Sequence, residues 1–422
     1  MQNPHVCSAL SIVHPIELVR GQNAKVWDIE GREYIDFVGG IGVLNLGHCH
    51  PRIVAAIQEQ AQNLTHYAFN AAPHKPYRDL VQALSEFVPT QQRFDVLLTN
   101  SGAEATENAL KIARLKTRRT AVIAFDGGFH GRTLAAVNLN GKVAAYKTDL
   151  GPLPGPVYHI PYPSADNDTS SAQAQAALER IISVEVDVNE IAAIIAEPVI
   201  GEGGFQMLCP EFAQYLREFC DRHGIALIWD EIQSGFARTG KRFAFECLGV
   251  EPDLLLLGKS IAGGLPLGAV MGAPHWMADL PKGSLGGTYS GNPIACAAAL
   301  ATISILTDEA ALNDMATRYE TTVQTFHQHY VQQGLPVGRL TGVGSMRGIE
   351  LVDAAGKANA PLLAKVLQRA REQGLLLMPS GKHRNVIRLL APLTIEVEVL
   401  EQGLALLGNI LAACQAEAMT AA

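Results

Sequence analysis

Charge is sparse in this chain, and positive charge is the scarcer kind. Charged residues make up 18% of its 422 positions, with 33 Lys and Arg against 41 Asp and Glu. The resulting net charge of −8 argues against nucleic acid or an anionic membrane surface as a partner, because both are held by clustered cations. Cysteine is also scarce: seven are scattered without a Cys-x-x-Cys pair. An odd, unpaired set does not build a disulfide framework and fits a reduced, cytoplasmic setting. The N-terminus shows no basic stretch ahead of an apolar core, so no secretory signal is expected. No window reads as the roughly 20 apolar residues of a membrane span. No internal repeat or low-complexity tract is present. His48-Cys49-His50 resembles a metal cluster at first sight. Residues two apart do not share a helical face, and no carboxylate or second Cys/His set lies nearby, so a structural loop is expected and no metal.

What is present is a globular balance, 48% hydrophobic, in a chain long enough for two or three domains or one large α/β domain with appendages. Lys25–Ile29 and Arg32–Phe37 read as two short strands about Glu30-Gly31, followed by a tight loop over Gly39–Asn45 and a helix that starts at Pro51. From about residue 95 to 270, apolar strands alternate with helices. The strands are Val96–Thr99, Ala121–Phe125, Ile191–Ala196, Ile225–Trp229 and Leu254–Leu257; the helices between them include Gly102–Leu115 and Glu211–Arg222. Near-continuous apolar strands separated by helices predict a largely parallel sheet covered on both faces. Residues 152–172, rich in proline and then in Ser, Asp and Asn, read as a loop or extended segment. Helical patterns return at Pro293–Leu306, Asn313–Gln332 and 361–373. The strand Val386–Leu390 and a last helix to about 413 complete what reads as a smaller α+β domain.

Ligands of parallel sheets bind at the carboxyl ends of the strands, and the unusual polar residues of this chain gather there. Leu254–Leu257 ends at Gly258-Lys259, in a turn of small residues. An ammonium at the end of a buried strand loses hydration, which lowers its pKa and frees the amine as a nucleophile suited to Schiff-base chemistry. Gly-Lys-Ser also suggests a phosphate-binding P-loop, but that motif requires glycine where Asp253 stands. After Val96–Thr99, the turn Asn100-Ser101-Gly102-Ala103 opens a helix whose N-terminal N–H groups suit a phosphate, although Ser101 also fits ordinary capping. After Ala121–Phe125 come Phe129, His130 and Arg132. The ring could lie flat on a ligand and the guanidinium could fork a carboxylate, or Phe129 could pack in the core and Arg132 pair with an acid. After Ile191–Ala196, Glu197-Pro198 leads to Glu202 among glycines, as a surface ion pair or a ligand-facing carboxylate. After Ile225–Trp229 stand Asp230 and Glu231, an acidic pair that is costly to bury unless one faces a cation. A pyridinium nitrogen is such a cation, and an acid beside it makes the ring an electron sink. Phosphate cradle, stacking ring, counter-acid and desolvated lysine together match pyridoxal phosphate.

The same residues resemble the class III (ω-amino acid) aminotransferases of fold type I, most closely the bacterial 4-aminobutyrate aminotransferases. The likeness runs from about Val26 to the final helix. It is carried by Gly39-Gly-Ile-Gly-Val-Leu-Asn45, Asn100-Ser-Gly-Ala-Glu-Ala105, Gly128-Phe-His-Gly-Arg-Thr133, Gly201-Glu-Gly-Gly204, Asp230-Glu-Ile-Gln-Ser-Gly235, Gly258-Lys-Ser-Ile-Ala-Gly-Gly264 and Gly286-Gly-Thr-Tyr-Ser-Gly-Asn-Pro293. It implies a large cofactor-binding domain (51–310) with a mostly parallel seven-stranded sheet, and a smaller α+β domain assembled from residues 1–50 and 311–422. Lys259 would carry the cofactor as a Schiff base and later shuttle the proton. Asp230 would pair with the pyridine nitrogen, Gln233 would bond the ring hydroxyl, and Phe129 would stack on the ring with His130 beside it. Ser101, Gly102 and Ala103 would hold the phosphate, which Thr288 would reach from the neighbouring subunit of a homodimer or dimer of dimers. Arg132 would bind the carboxylate far from the reacting amine, with Ile41 lining the pocket and Asn70 near its entrance. Glu202 and Arg388 would form a switch: paired for an ω-amine, separated to receive the α-carboxylate of glutamate or 2-oxoglutarate.

The expected activity is transfer of the amino group of 4-aminobutyrate or a close ω-amino acid to 2-oxoglutarate. Close alternatives are 5-aminovalerate, diaminobutyrate, diamines or acetylornithine as donor. More distant ones are a lyase, racemase or decarboxylase on the same cofactor, or a regulatory protein on a retired fold. Ile200, Asn70 with the segment Ala71–Lys75, and Ala103 depart from the common pattern of relatives, and the expected consequence is for substrate chain length.

Overall fold

The structure, a computed structural model, describes residues 5–142 and 146–420. Its centre is a seven-stranded sheet in the spatial order Asp95–Thr99, Gly268–Gly272, Leu254–Leu257, Ala226–Asp230, Ile191–Ala196, Ala121–Phe125, Val157–Ile160. Six strands run parallel to one another. Gly268–Gly272 is antiparallel to both its neighbours, Leu254–Leu257 and Asp95–Thr99. The central strands are buried along their whole length, as the apolar runs require of a sheet covered on both faces.

Two strands of this sheet were not expected. Val157–Ile160 lies inside the stretch read as a loop or extended segment, where flanking prolines mask four residues suited to a sheet edge. Gly268–Gly272 (Gly-Ala-Val-Met-Gly) lacks a bulky apolar run. Its small residues fit because a Cβ on Gly268 would meet the Ser101 carbonyl at 2.7 Å, and one on Gly272 would meet Leu254 at 2.6 Å.

Helices cover both faces. Gly102–Thr117 starts from Ser101, whose side chain accepts a hydrogen bond from the Glu104 N–H, and it ends at a left-handed Arg118. Pro210–His223 ends at Gly224, also left-handed, as its position after the last helical turn predicts. The smaller α+β part has its own core, drawn from Ile35 and Phe37 near the N-terminus and from Tyr319, Ile349, Val366, Ile387, Leu389 and Leu407. A four-stranded sheet containing Met346–Leu351 and Val386–Leu389 lies in this part.

The terminal helix corrects an expectation. Val397–Thr420 is longer than anticipated and is long and apolar enough to cross a membrane by length and composition. Its leucines at 400, 404, 407 and 411 are packed in the smaller core, at the spacing that places them on one face.

Candidate active site

Because the six parallel strands share one direction, the polar turns after Thr99, Phe125, Ala196, Asp230 and Leu257 all emerge at one edge of the sheet. Lys259 stands there with φ +44°, a left-handed backbone that a side chain adopts only where the surroundings enforce it. Burial lowers its pKa, while the charges of Glu197 and Asp230 pull the other way. The net direction is downward, which favours the free amine.

Asp230 ends its strand buried. One carboxylate oxygen accepts from the Ile232 N–H at 3.0 Å; the other lies 2.7 Å from Nδ1 of the buried His130. Burial opposes a charge on His130, but the bond to Asp230 and the nearby carboxylates raise its pKa overall. Its Nε2 has no hydrogen-bond partner among the described residues. The backbone around His130 is braced on both sides: its N–H donates to Asn140 Oδ1 at 2.7 Å, and Thr106 Oγ1 donates to its carbonyl at 3.0 Å.

Gln233 is confined by two glycines. A Cβ on Gly201 would stand 2.2 Å from its Oε1, and one on Gly42 would stand 3.2 Å from its Nε2. The segment Gly39–Gly42, expected as a loop, is a short helical turn in which Ile41 holds φ +64°. Ile41 is 46% exposed, and its carbonyl lies 3.5 Å from Gln233 Nε2. The same turn accepts a bond from Ser260 Oγ onto the Gly42 carbonyl, so it sits against the lysine turn as well. Gly102 has no room for a side chain, since a Cβ would meet Ile232 at 2.8 Å, and Ala103 abuts Gly131. The Ser101 hydroxyl is engaged in capping, so the first N–H groups of the helix are what this turn offers an anion.

Glu202 and Arg388 form a direct ion pair; Arg388 is nearly buried within its strand and also donates from Nε to the Pro379 carbonyl at 3.0 Å. Burial works to raise the Glu202 pKa, but Arg388, by charge and hydrogen bond, and two lysines hold it below the usual range. Arg132 is exposed, with its guanidinium over the rings of Tyr146 at 4.9 Å and Phe129 at 6.0 Å from the centroids. Among the described residues it makes no ion pair.

Two further expected site residues lie on exposed loops. Thr288 and Asn70 are both exposed. Their loops adjoin each other: the His66 and Tyr289 rings approach at 4.9 Å, and Asn292 donates to the Thr65 carbonyl. His48, taken from the suspected cluster, lies 2.8 Å from Asp36.

Glu197 is a functional residue that the sequence does not single out, although it occupies the same strand-end position as the others. It accepts from the N–H groups of Phe129 (2.9 Å) and Gly201 (3.0 Å), and so ties together the loops that carry the ring and the switch. Burial pushes its carboxyl up to about 7, against the pull of His130 and of those N–H groups. Tyr146 gave no signal in sequence. It is a lone aromatic in an irregular segment, placed only by the tertiary structure between Glu202 and Arg132.

The donor set suits pyridoxal phosphate: helix N–H groups for the phosphate, a buried carboxylate for a ring nitrogen, a His130 nitrogen left free and an amine for the aldehyde. Comparison with known proteins agrees. Residues 8–411 match the family model for aminotransferase class-III. The chain is 62% identical over 414 residues to a 2-aminoadipate transaminase of Pseudomonas putida (98% of this chain, 99% of the relative). It is 44% identical over 402 residues to a 4-aminobutyrate aminotransferase of Escherichia coli K12 (94% and 93%). Among solved structures it resembles a PLP-bound amine transaminase from an uncultivated Pseudomonas species, with TM-score 0.88, 30% identity and 98% of both chains covered.

Proposed function

The chain belongs to the class-III aminotransferases, which use pyridoxal phosphate, and from that premise we propose that it moves the amino group of 2-aminoadipate to 2-oxoglutarate, yielding 2-oxoadipate and L-glutamate. The observation that carries this reading is the pair of arginines: Arg132 free of any acid among the described residues, and Arg388 held by an internal acid that it can exchange. A donor such as 2-aminoadipate carries two carboxylates, one beside the amine and one at the far end of the chain. Arg132 takes the distal one. Arg388, once released by Glu202, takes the other. The same two contacts serve glutamate and 2-oxoglutarate, so one pocket reads both donor and acceptor.

A second reading is supported by the closed Glu202–Arg388 pair and by the 44% identical relative. With the pair intact the pocket suits a donor that lacks a carboxylate on its reacting carbon, such as 4-aminobutyrate or 5-aminovalerate. 5-Aminovalerate is 2-aminoadipate without its α-carboxylate, so the two readings differ in the state of the switch and not in its parts.

Bound in this site, pyridoxal phosphate supplies the aldehyde that accepts the amino group and the ring that takes up the electrons of the broken C–H bond. Lys259 Nζ would hold the group and move the proton off and back, a role that its lowered pKa favours. Asp230 would keep the ring nitrogen protonated, and His130 holds the Asp230 carboxylate in place. Phe129 would stack on the ring, Gln233 would orient its hydroxyl, and Ser101, Gly102 and Ala103 would cradle the phosphate. Ile41 lines the pocket. Thr288 would complete the phosphate grip from the partner subunit of a cytoplasmic homodimer, with Asn70 beside it at the entrance.

Arg388→Ala tests the assignment. It should slow the half-reactions of 2-aminoadipate and glutamate by about 100-fold, the effect of losing a buried charge contact, and slow that of 5-aminovalerate far less. Equal losses on all three donors, followed spectroscopically on the cofactor, would remove the switch.

A further inference from the structure

Tyr146 touches both halves of the substrate pocket. Its hydroxyl lies 3.4 Å from Glu202 Oε2, and its ring supports the Arg132 guanidinium at 4.9 Å while packing against Phe129 at 5.3 Å, tilted by 59°. We propose that Tyr146 is a specificity-determining residue: its hydroxyl receives Glu202 when Glu202 leaves Arg388, and so admits substrates that carry a second carboxylate. The proposal rests on the two-arginine reading above.

Glu202 must leave its cation before the pocket can take a second carboxylate. Its side chain is 22% exposed and that of Arg388 is 3% exposed, so separating them deprives a mostly buried carboxylate of its cation. Such a carboxylate needs another donor at once. The Tyr146 hydroxyl stands at the outer limit of hydrogen-bond range in the closed pair, and a movement of about 0.7 Å brings it to the usual O–H···O distance of about 2.7 Å. Burial raises the phenol pKa, and Glu202 acts in the same direction against Arg132 and Arg388, so the hydroxyl keeps its proton at neutral pH. Being neutral, it donates to Glu202 without competing with the substrate for Arg388. The ring serves the other end of the pocket, because a guanidinium resting on an aromatic face is held in place while its N–H fork stays available to the distal carboxylate. The Tyr146 hydroxyl thus governs the α-carboxylate, and its ring governs the distal one.

The test is the binding of unreactive substrate mimics to the holoenzyme by titration calorimetry. Glutarate carries both carboxylates and pentanoate only one. Wild-type protein should bind glutarate more tightly than pentanoate. Tyr146→Phe, which keeps the ring, should weaken glutarate by about tenfold, as for loss of one hydrogen bond to a charged group, and leave pentanoate within about twofold. Tyr146→Leu should weaken both. If Tyr146→Phe alters neither ligand, or both equally, the proposal is overturned while the two-arginine reading stands. If the wild-type protein itself shows no preference for glutarate, the two-arginine reading falls and the proposal falls with it. Thermal unfolding of both variants verifies that they are folded.

Discussion

Glu231 stands next to Asp230, yet serves a different purpose. It is fully buried and accepts hydrogen bonds from Ser234 Oγ and from the N–H groups of Ala244 and Phe245, anchoring the segment that follows the central strand. Burial pushes its carboxyl up to about 7 from an ordinary 4.5, against those bonds, which pull it down. The folded chain therefore retains a proton that the unfolded chain has already released, and stability falls as pH rises from about 4.5 to about 7. The loss is on the order of 3 kcal/mol. Glu231→Gln should flatten this dependence, so that between pH 5 and pH 8 the variant loses less of its melting temperature than the wild type; parallel declines would contradict it. Single residues were unevenly legible from sequence. Lys259 and Asp230 follow apolar runs and announce themselves. Arg388 is an arginine inside an apolar strand whose partner lies 186 positions away, so only family likeness assigned it a role. Glu197 carried the same strand-end signal as Glu202, and nothing local distinguished the two.

At the level of elements, glycines decide how closely the loops of the site approach one another. Gly201 lies against Gln233, so Gly201→Ala must displace that side chain. If Gln233 bonds the ring hydroxyl, the variant should bind pyridoxal phosphate about 10- to 100-fold more weakly, the effect of losing a hydrogen bond and leaving its partner unmet. Titration of the apoenzyme measures this, and unchanged affinity would show that Gln233 does not hold the ring. The main strands were readable because each is a short apolar run closed by a polar turn. Val157–Ile160 and Gly268–Gly272 were not: one is hidden among prolines, and the other is built from small residues that are needed only because its neighbours crowd it. The Gly39–Gly42 turn illustrates the same limit. Its left-handed Ile41 is enforced by contacts with Gln233, Ser260 and Leu390, all distant in sequence.

For the molecule as a whole, two exposed loop residues bear on the proposed assembly. Thr288 and Asn70 lie exposed on adjoining loops, in keeping with a site completed by a second copy of the chain. If Thr288 acts across the interface, Thr288→Ala impairs the neighbour's site and not its own. Mixed with Lys259→Ala, it should then regain activity, because one of the two sites in each mixed dimer has both residues intact. Action within one chain predicts no recovery. The α/β architecture was legible from the alternation of strands and helices, whereas pairing with a second chain was suggested by likeness alone, since no apolar period or charge pattern marked it.

The central claim is that one site, built on Lys259, transfers amino groups from a dicarboxylic amino acid to 2-oxoglutarate. The most direct measurement is single-turnover absorbance of the holoenzyme with 2-aminoadipate alone, followed by 2-oxoglutarate. The expected result is loss of the cofactor's aldehyde absorbance, its return on adding the acceptor with one glutamate formed per site, and neither change in Lys259→Ala. Absence of the first change, or a change that 2-oxoglutarate does not reverse, would contradict it.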